Sequence, residues 1–144
     1  MNQRNPTVVA GVGMIAFGKP GASDNYDIMG EAAIREALAD SGLDFAHIEQ
    51  AYAGYVYGDS TCGQKVIYKV GMTGIPVFNV NNNCSTGSSA LFMARQAVES
   101  GMVDCALAVG FEQMQPGALG NVWDDRPSPF DDFDTECADL FDRD

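Results

Sequence analysis

Apolar runs and segments of helical spacing alternate along the chain as far as residue 112. The apolar runs are short and bounded by Gly, Pro, Asn or Asp, which predicts strands, whereas apolar residues three and four positions apart predict helices. The predicted strands are Thr7–Val12, Ala51–Tyr57, Pro76–Val80 and Asp104–Phe111, and the predicted helices are Asp27–Ser41, Gln64–Val70 and Cys84 or Ser85 to Ser100. Strands that alternate with helices predict an α/β fold, in which a mostly parallel sheet is layered between helices.

Two of the predicted strands are almost continuously apolar. Thr7–Val12 (TVVAGV) and Asp104–Phe111 (DCALAVGF) lack the alternation of a half-exposed strand, which is typical of strands covered on both faces. We therefore expect Thr7–Val12 to be the first buried strand and Asp104–Phe111 to be central in the sheet. Pro76 opens the third strand, where a proline costs no ladder hydrogen bond.

The predicted helices carry signals at their ends and along their packing faces. Asp24 or Asp27 can cap the first helix, and Gly42 suits the left-handed position after its last turn. In the third helix, mostly small residues recur three and four positions apart, so that helix can lie close to a partner. These residues are Gly87, Ala90, Leu91, Ala94, Ala97, Val98 and Gly101.

The pattern changes after Glu112. Three prolines interrupt any long element there, and residues 124–144 hold nine acidic residues against two arginines, a net charge of −7. We expect a core domain over residues 1–114 and the start of an acidic loop domain over residues 115–144. Because open parallel sheets bury both faces of several strands, we expect this sequence to be the first part of a larger protein.

Charge and composition narrow the function classes. The 144 residues contain 20 Asp and Glu against 8 Lys and Arg, a formal net charge of −12. Contacts with phosphates require clustered Lys and Arg, so binding to nucleic acid or to an anionic membrane is disfavoured. No apolar run reaches the roughly 20 residues that cross a bilayer. Val8–Phe17 contains two glycines and precedes no clear cleavage site, so we interpret it as a strand rather than a signal peptide and expect a reduced, cytoplasmic protein.

Metal and nucleotide sites are not indicated. The sequence has no CxxC pair and one histidine, His47, so the usual ligand spacing for zinc is missing. The segment from Gly13 to Pro20 nearly matches a phosphate-binding loop, but Pro20 replaces the Ser or Thr that would hold magnesium. We expect neither a metal nor a tightly bound cofactor. The four cysteines are Cys62, Cys84, Cys105 and Cys137.

Cys84 is the candidate nucleophile. It follows a strand and a run of three asparagines, and it lies where the third helix is predicted to begin. Unpaired N–H groups and the dipole at a helix start stabilise a thiolate, which is the nucleophilic form of cysteine. Small residues from Ser85 to Ala90 leave room for a ligand. The alternative, a buried cysteine beside a Ser/Thr-rich cap, stays equally open on these grounds.

The same residues carry a family resemblance. NVNNNCSTGSSALFMARQAVESG and the following CALAVGFEQMQPGALG resemble the N-terminal half of thiolases of the sterol carrier protein X, or lipid-transfer, type. GYVYGDSTCGQKVIYKVGMTGIP resembles the same subfamily, and the resemblance extends from Thr7 to Gly120. It implies two similar α/β halves with a loop domain inserted in the first, where residues 115–144 would begin. It also implies a homodimer or tetramer, with coenzyme A as co-substrate.

The resemblance implies roles for several residues. Cys84 aligns with the cysteine that accepts the acyl group from an acyl-CoA or steroid-CoA, and Met114 with a position near the acyl pocket. Cys62 falls in a loop that resembles one near the dimer interface, with a passive role. His47 matches no family motif and is expected at the surface. The second catalytic cysteine and the histidines of thiolases come from the C-terminal half of the family, and Cys137 does not match their setting.

The resemblance leaves three functions open. The first is acyl transfer between a cysteine and CoA, with the 144 residues alone inactive. The second is a thiolase-like aldolase of steroid side-chain degradation, since related lipid-transfer proteins keep the fold while changing the reaction. The third is a non-catalytic thiolase-like subunit that needs a partner. Cys105, predicted inside a strand, is expected to be inert.

Overall fold

A computed structural model describes residues 6–117, 120 and 123–141. The chain divides into two compact units, Met1–Met114 and Gln115–Asp144. In chain order the elements are α1 (Tyr26–Ser41), a 3-10 helix (Phe45–His47), β1 (Gln50–Gly54), α2 (Cys62–Val70), β2 (Val77–Val80), α3 (Thr86–Glu99), β3 (Ala106–Gly110) and α4 (Asp131–Phe141). Only α4 of these belongs to the second unit.

The first unit is built on a sheet of three strands in the order β2-β1-β3. Both pairings are parallel, with Ala51 of β1 opposite Val77 on one side and opposite Leu107 on the other. The carbonyl of Pro76 accepts a hydrogen bond from the N–H of Ala51 at 3.0 Å, just before β2 begins. The predicted α/β fold with a parallel sheet is confirmed.

The last strand of the sheet is not central. Within the described residues, β3 pairs with β1 alone, and β1 is the middle strand. The prediction that Asp104–Phe111 is central is therefore wrong. A continuously apolar strand sequence indicates that both faces of the strand are covered, and helices do cover both faces of β3. It does not report whether a second strand lies at each edge.

Helices cover the two faces of the sheet, and alternate residues of each strand point to opposite faces. Ala51 and Ala53 of β1 pack with α1 and α2, whereas Tyr52 packs with α3. The α1/α2 face is centred on Ile34, Ala51, Ala53, Val66, Ile67, Leu107 and Val109, and the α3 face on Tyr52, Ala90, Ala94, Ala97 and Val103. Within the small-residue stripe of α3, Ala90, Ala94 and Ala97 are buried, whereas Leu91 is 56% exposed and Gly87 is also exposed.

The segment Thr7–Val12 does not form the predicted strand. It carries no strand pairing, and the N–H of Val12 donates instead to Oδ2 of Asp40 in α1 at 2.9 Å. Val8 and Val9 are 82% and 72% exposed. The apolar run predicted burial, but the segment runs beside α1, where the carboxylate of Asp40 accepts the N–H of Val12 in place of a neighbouring strand.

Helix α1 confirms one of its predicted end signals and not the other. Gly42 has a φ of +69°, and its N–H donates to the carbonyl of Leu38 at 3.0 Å, as expected after a last helical turn. The expected cap from Asp24 or Asp27 is wrong, because Asn25 precedes the helix and no side chain caps it. Asp27 instead pairs with lysines of α2, at 3.4 Å from Nζ of Lys69.

The first strand ends earlier than predicted because a side chain takes over its hydrogen bonds. The N–H groups of Val56 and Tyr57 each donate at 2.9 Å to the carboxylate of Glu112, which follows β3. The strand was expected to reach Tyr57, but it ends at Gly54. Glu112 thereby fixes the loop that leaves β1 against the end of β3.

The second unit contains a helix that the sequence pattern did not predict. In α4, Asp131, Asp132 and Asp134 lie in the first turn, where acidic side chains favour the positive end of the helix dipole. Oδ2 of Asp131 also accepts from the N–H of Ser128 at 3.1 Å, just before the helix. Prolines nearby and a high charge density masked this signal. In the described residues, no helix combines the length and apolarity needed to cross a membrane.

Candidate active site

Cys84 lies at the carboxyl edge of the parallel sheet, in the turn between β2 and α3. Its side chain is exposed, and α3 begins two residues later at Thr86. The helix was predicted to begin at Cys84 or Ser85, so the boundary is displaced by one or two residues. The alternative of a buried cysteine is wrong.

Two overlapping turns shape the backbone around Cys84. The N–H of Ser85 donates to the carbonyl of Asn82, and the N–H of Thr86 donates to that of Asn83, both at 3.1 Å. Asn83 has a φ of +49°, a left-handed conformation that asparagine tolerates better than most residues. The Sγ of Cys84 lies 3.9 Å from Oδ1 of Asn83. The asparagine run therefore serves the turn that presents the thiol.

Glycines bring the first turn of α3 against the sheet. A Cβ on Gly54 would lie 2.8 Å from Cγ2 of Thr86 and 2.9 Å from its carbonyl oxygen, and a Cβ on Gly110 would lie 3.4 Å from Cα of Gly87. The ends of β1 and β3 thus have no side chain where α3 begins. This close approach fixes the position of the helix start that follows Cys84.

Cys62 is structural rather than reactive in its setting. It is the first residue of α2 and 5% exposed, so its predicted placement in a loop is wrong. Its N–H donates to the hydroxyl of Tyr55 at 3.2 Å. A hydrogen bond with the Cys62 side chain, followed by burial, raises the pKa of Tyr26 to about 12. The rings of Tyr26 and Tyr55 both stack on Phe111, so Cys62 lies in contact with an aromatic cluster.

The remaining cysteines lie elsewhere, and all four are free. Cys105 immediately precedes β3 rather than lying within it, and it is partly buried. Burial first, and the charge of Glu49 second, raise the pKa of the Cys105 thiol. Cys137 lies in α4 of the second unit. Within the first unit, Cys105 precedes β3 whereas Cys84 follows β2, so these two cysteines lie at opposite edges of the parallel sheet.

His47 is exposed and remote from the candidate nucleophile. It ends the 3-10 helix, and its Nδ1 lies 3.2 Å from the carbonyl oxygen of Asp44. The residue precedes β1, whereas Cys84 follows β2, so the two lie at opposite edges of a parallel sheet. The expectation of a surface histidine is confirmed.

Met114 lines an apolar cavity of about 400 Å3 in the first unit. Segment 13–20, α1 residues Met29 and Ala33, and the end of β3 form the other walls. Cys84 does not line this cavity, so the structure does not bring the two predicted site residues together. In the described residues, no three His, Cys, Asp or Glu side chains are grouped to hold a metal ion.

We expect iodoacetamide to alkylate Cys84 faster than Cys105 near neutral pH. Cys84 is exposed, whereas the raised pKa of Cys105 leaves less of its reactive thiolate at that pH. The labelling rate of Cys105 should rise as the pH approaches that raised pKa. Peptide mapping after brief alkylation measures both sites, and equal labelling in the folded protein at neutral pH would contradict the assignment.

Comparison with known proteins defines the class. Residues 7–124 match the family described as the thiolase N-terminal domain. Sterol carrier protein 2 of Oryctolagus cuniculus is 55% identical over 126 residues, which cover 85% of this chain and 23% of that protein. The benzoylsuccinyl-CoA thiolase subunit BbsB of Thauera aromatica is 34% identical over 114 residues, covering 78% of this chain and 29% of that protein.

The chain belongs to the thiolase family, and its matched region is the N-terminal domain. It spans about a quarter of the length of these relatives. The solved structure of 3-oxoacyl-[acyl-carrier-protein] synthase III from Aquifex aeolicus superposes with a TM-score of 0.57 at 22% identity, covering 62% of this chain and 30% of that one. This likeness bears on the fold alone and agrees with the parallel α/β sheet.

Proposed function

We propose that Cys84 is the acyl-accepting nucleophile of a reaction that transfers an acyl group between a 3-oxoacyl-CoA and coenzyme A. The observation that carries the proposal is the exposed Cys84 thiol in the turn before α3, in a chain of the thiolase family. The start of a helix stabilises a thiolate, and exposure gives a substrate access to it.

In the proposed reaction, the sulfur of Cys84 attacks the 3-oxo carbonyl carbon and forms a carbon–sulfur bond. The bond between carbons 2 and 3 then breaks, and its electron pair stays on carbon 2, which takes a proton as acetyl-CoA leaves. The thiol of a second CoA then gives up its proton and attacks the thioester, the carbon–sulfur bond to Cys84 breaks, and the Cys84 sulfur takes up that proton as the shortened acyl-CoA leaves. The covalent intermediate divides one difficult cleavage into two easier steps.

The setting of this reaction is proposed along with it. CoA acts as a co-substrate and no cofactor is tightly bound; the acyl group is fatty or steroidal, and Met114 contacts it. The apolar lining of the Met114 cavity supports contact with an acyl chain, although Cys84 lies outside that cavity. We further propose that the full-length protein is a cytoplasmic homodimer or tetramer.

A thiolase-like subunit without activity of its own is the second candidate. Two observations favour it: the one histidine of the sequence lies at the sheet edge away from Cys84, and one relative is named as a subunit. In that case Cys84 would be acylated only when a partner chain supplies the remaining groups.

The candidate functions can be separated by incubating the 144-residue chain with a fatty 3-oxoacyl-CoA, a steroid 3-oxoacyl-CoA and a 3-hydroxyacyl steroid-CoA. We expect intact-mass measurement to show one acyl group added from a 3-oxoacyl-CoA, and none on Cys84→Ala. Cys105→Ala is the matched control and should be acylated normally. Cleavage of a 3-hydroxyacyl steroid-CoA without an adduct would favour the aldolase, and absence of any adduct with fatty or steroid 3-oxoacyl-CoA would favour the non-catalytic subunit.

A further inference from the structure

Thr86 is the buried polar side chain beside Cys84. It is 5% exposed, and its methyl group packs on the bare end of β1 at Gly54. Its sequence context marks it only as one of several small residues after Cys84. Buried hydroxyl groups need hydrogen-bond partners, and both partners of this hydroxyl lie in the turn that precedes Cys84.

The hydroxyl of Thr86 closes that turn from both sides. Oγ1 accepts from the backbone N–H of Asn82 at 2.8 Å, and it donates to the backbone carbonyl of Asn83. One hydroxyl therefore holds the residue two before Cys84 and the residue directly before it. Because Asn83 adopts a left-handed backbone, which is less favourable than the right-handed one, these bonds maintain a conformation that the local sequence alone holds weakly.

We infer that Thr86 is a positioning residue, whose hydroxyl holds the turn 82–84 so that the Cys84 thiol stays at the head of α3. The inference deepens the proposed function and rests on it for the acyl-transfer reaction. Thr86 acts through the backbone of Asn82 and Asn83. If the turn loosens, the Cys84 thiol no longer keeps one position in front of the first turn of α3, and a reagent or substrate meets it in the reactive position less often.

Substitutions at Thr86 separate the hydroxyl from the packing. Thr86→Val keeps the shape and removes the hydroxyl, whereas Thr86→Ser keeps the hydroxyl and removes the methyl group. Ser100→Ala is the matched control, since Ser100 also bonds a backbone carbonyl, that of Ala97, but at the far end of α3. If Thr86→Val does not fold by circular dichroism, Thr86→Ala against Thr86→Ser makes the same comparison.

The experiment measures two rates at Cys84 in each full 144-residue variant: alkylation by iodoacetamide and acylation by a 3-oxoacyl-CoA. We expect Thr86→Val to lower both rates about fivefold or more, the scale of one lost hydrogen bond. Thr86→Ser should restore most of each rate, and Ser100→Ala should equal the wild type.

The two rates distinguish failure of the inference from failure of the proposed function. If Cys84 in Thr86→Val is alkylated at the wild-type rate, the inference is overturned. It is also overturned if Cys84 is alkylated equally slowly in Thr86→Val and Thr86→Ser, because the loss of packing would then be responsible. If the wild type is alkylated at Cys84 but not acylated, the proposed function fails. The alkylation rates alone then decide whether Thr86 positions the thiol.

Discussion

The 144-residue chain should accept an acyl group on Cys84 slowly and only once, with no sustained thiolysis. Acyl transfer needs donors aimed at the developing oxyanion and a group that moves the proton, besides the nucleophile. His47 is the one histidine of the sequence, and it precedes the five-residue strand β1. At about 3.3 Å per residue, the strand places it roughly 15 Å from the edge that carries Cys84.

The expected loss of rate is large. Removal of one oxyanion donor costs about 10²–10³ in rate, and removal of a general acid or base costs about 10²–10⁴. The two losses do not add independently, yet the smaller alone would suppress turnover. Release of shortened acyl-CoA over time, with Cys84→Ala and His47→Ala chains alongside, measures this. Multiple turnovers that depend on both residues would contradict the placement of His47 outside the chemistry.

Ile67→Ala should destabilise the first unit by about 2–5 kcal/mol. Ile67 is 1% exposed and packs in the core between α1, α2 and the sheet, so truncation removes apolar contacts and leaves a cavity. Ile28→Ala is the matched control because Ile28 is 44% exposed on α1. An exposed substitution of this kind should change the free energy of unfolding by about 0.5 kcal/mol or less. Urea denaturation measures both changes.

Equal destabilisation by the two substitutions would contradict the placement of the core. The slope of the unfolding free energy against urea should be the same in both variants, since it follows the surface exposed on unfolding. A lower slope for Ile67→Ala alone would indicate a change in the unfolded or native state rather than a cavity in the core.

Local patterns predicted most of the α/β architecture. The three paired strands and the three helices of the first unit lie within a few residues of their predicted ranges. Short apolar runs and apolar residues at helical spacing predict buried strands and helices directly, because the side chains on the buried face of an element recur with the period of that element. The turn at Cys84 was predictable for the same reason, since a strand, three asparagines and small residues all belong to one local stretch.

Contacts between distant residues limited the rest of the prediction. Thr7–Val12 has the composition of a buried strand, but only the fold shows that Asp40 bonds its backbone instead of a neighbouring strand. Glu112 ends β1 by accepting hydrogen bonds from the backbone of Val56 and Tyr57, which lie more than fifty positions away in the sequence. No local pattern encodes either contact. The roles of Thr86 and Gly54 likewise depend on the approach of α3 to β1, which the sequence does not display.

The most direct test of the account is the location of the acyl group after incubation with a 3-oxoacyl-CoA. Rapid acid quenching preserves the thioester, and proteolysis with mass spectrometry then assigns it to one cysteine. The account predicts the acyl group on the peptide that contains Cys84, with Cys62 and Cys105 unmodified. An acyl group on another cysteine, or an even distribution over all four, would contradict the assignment of Cys84 as the nucleophile.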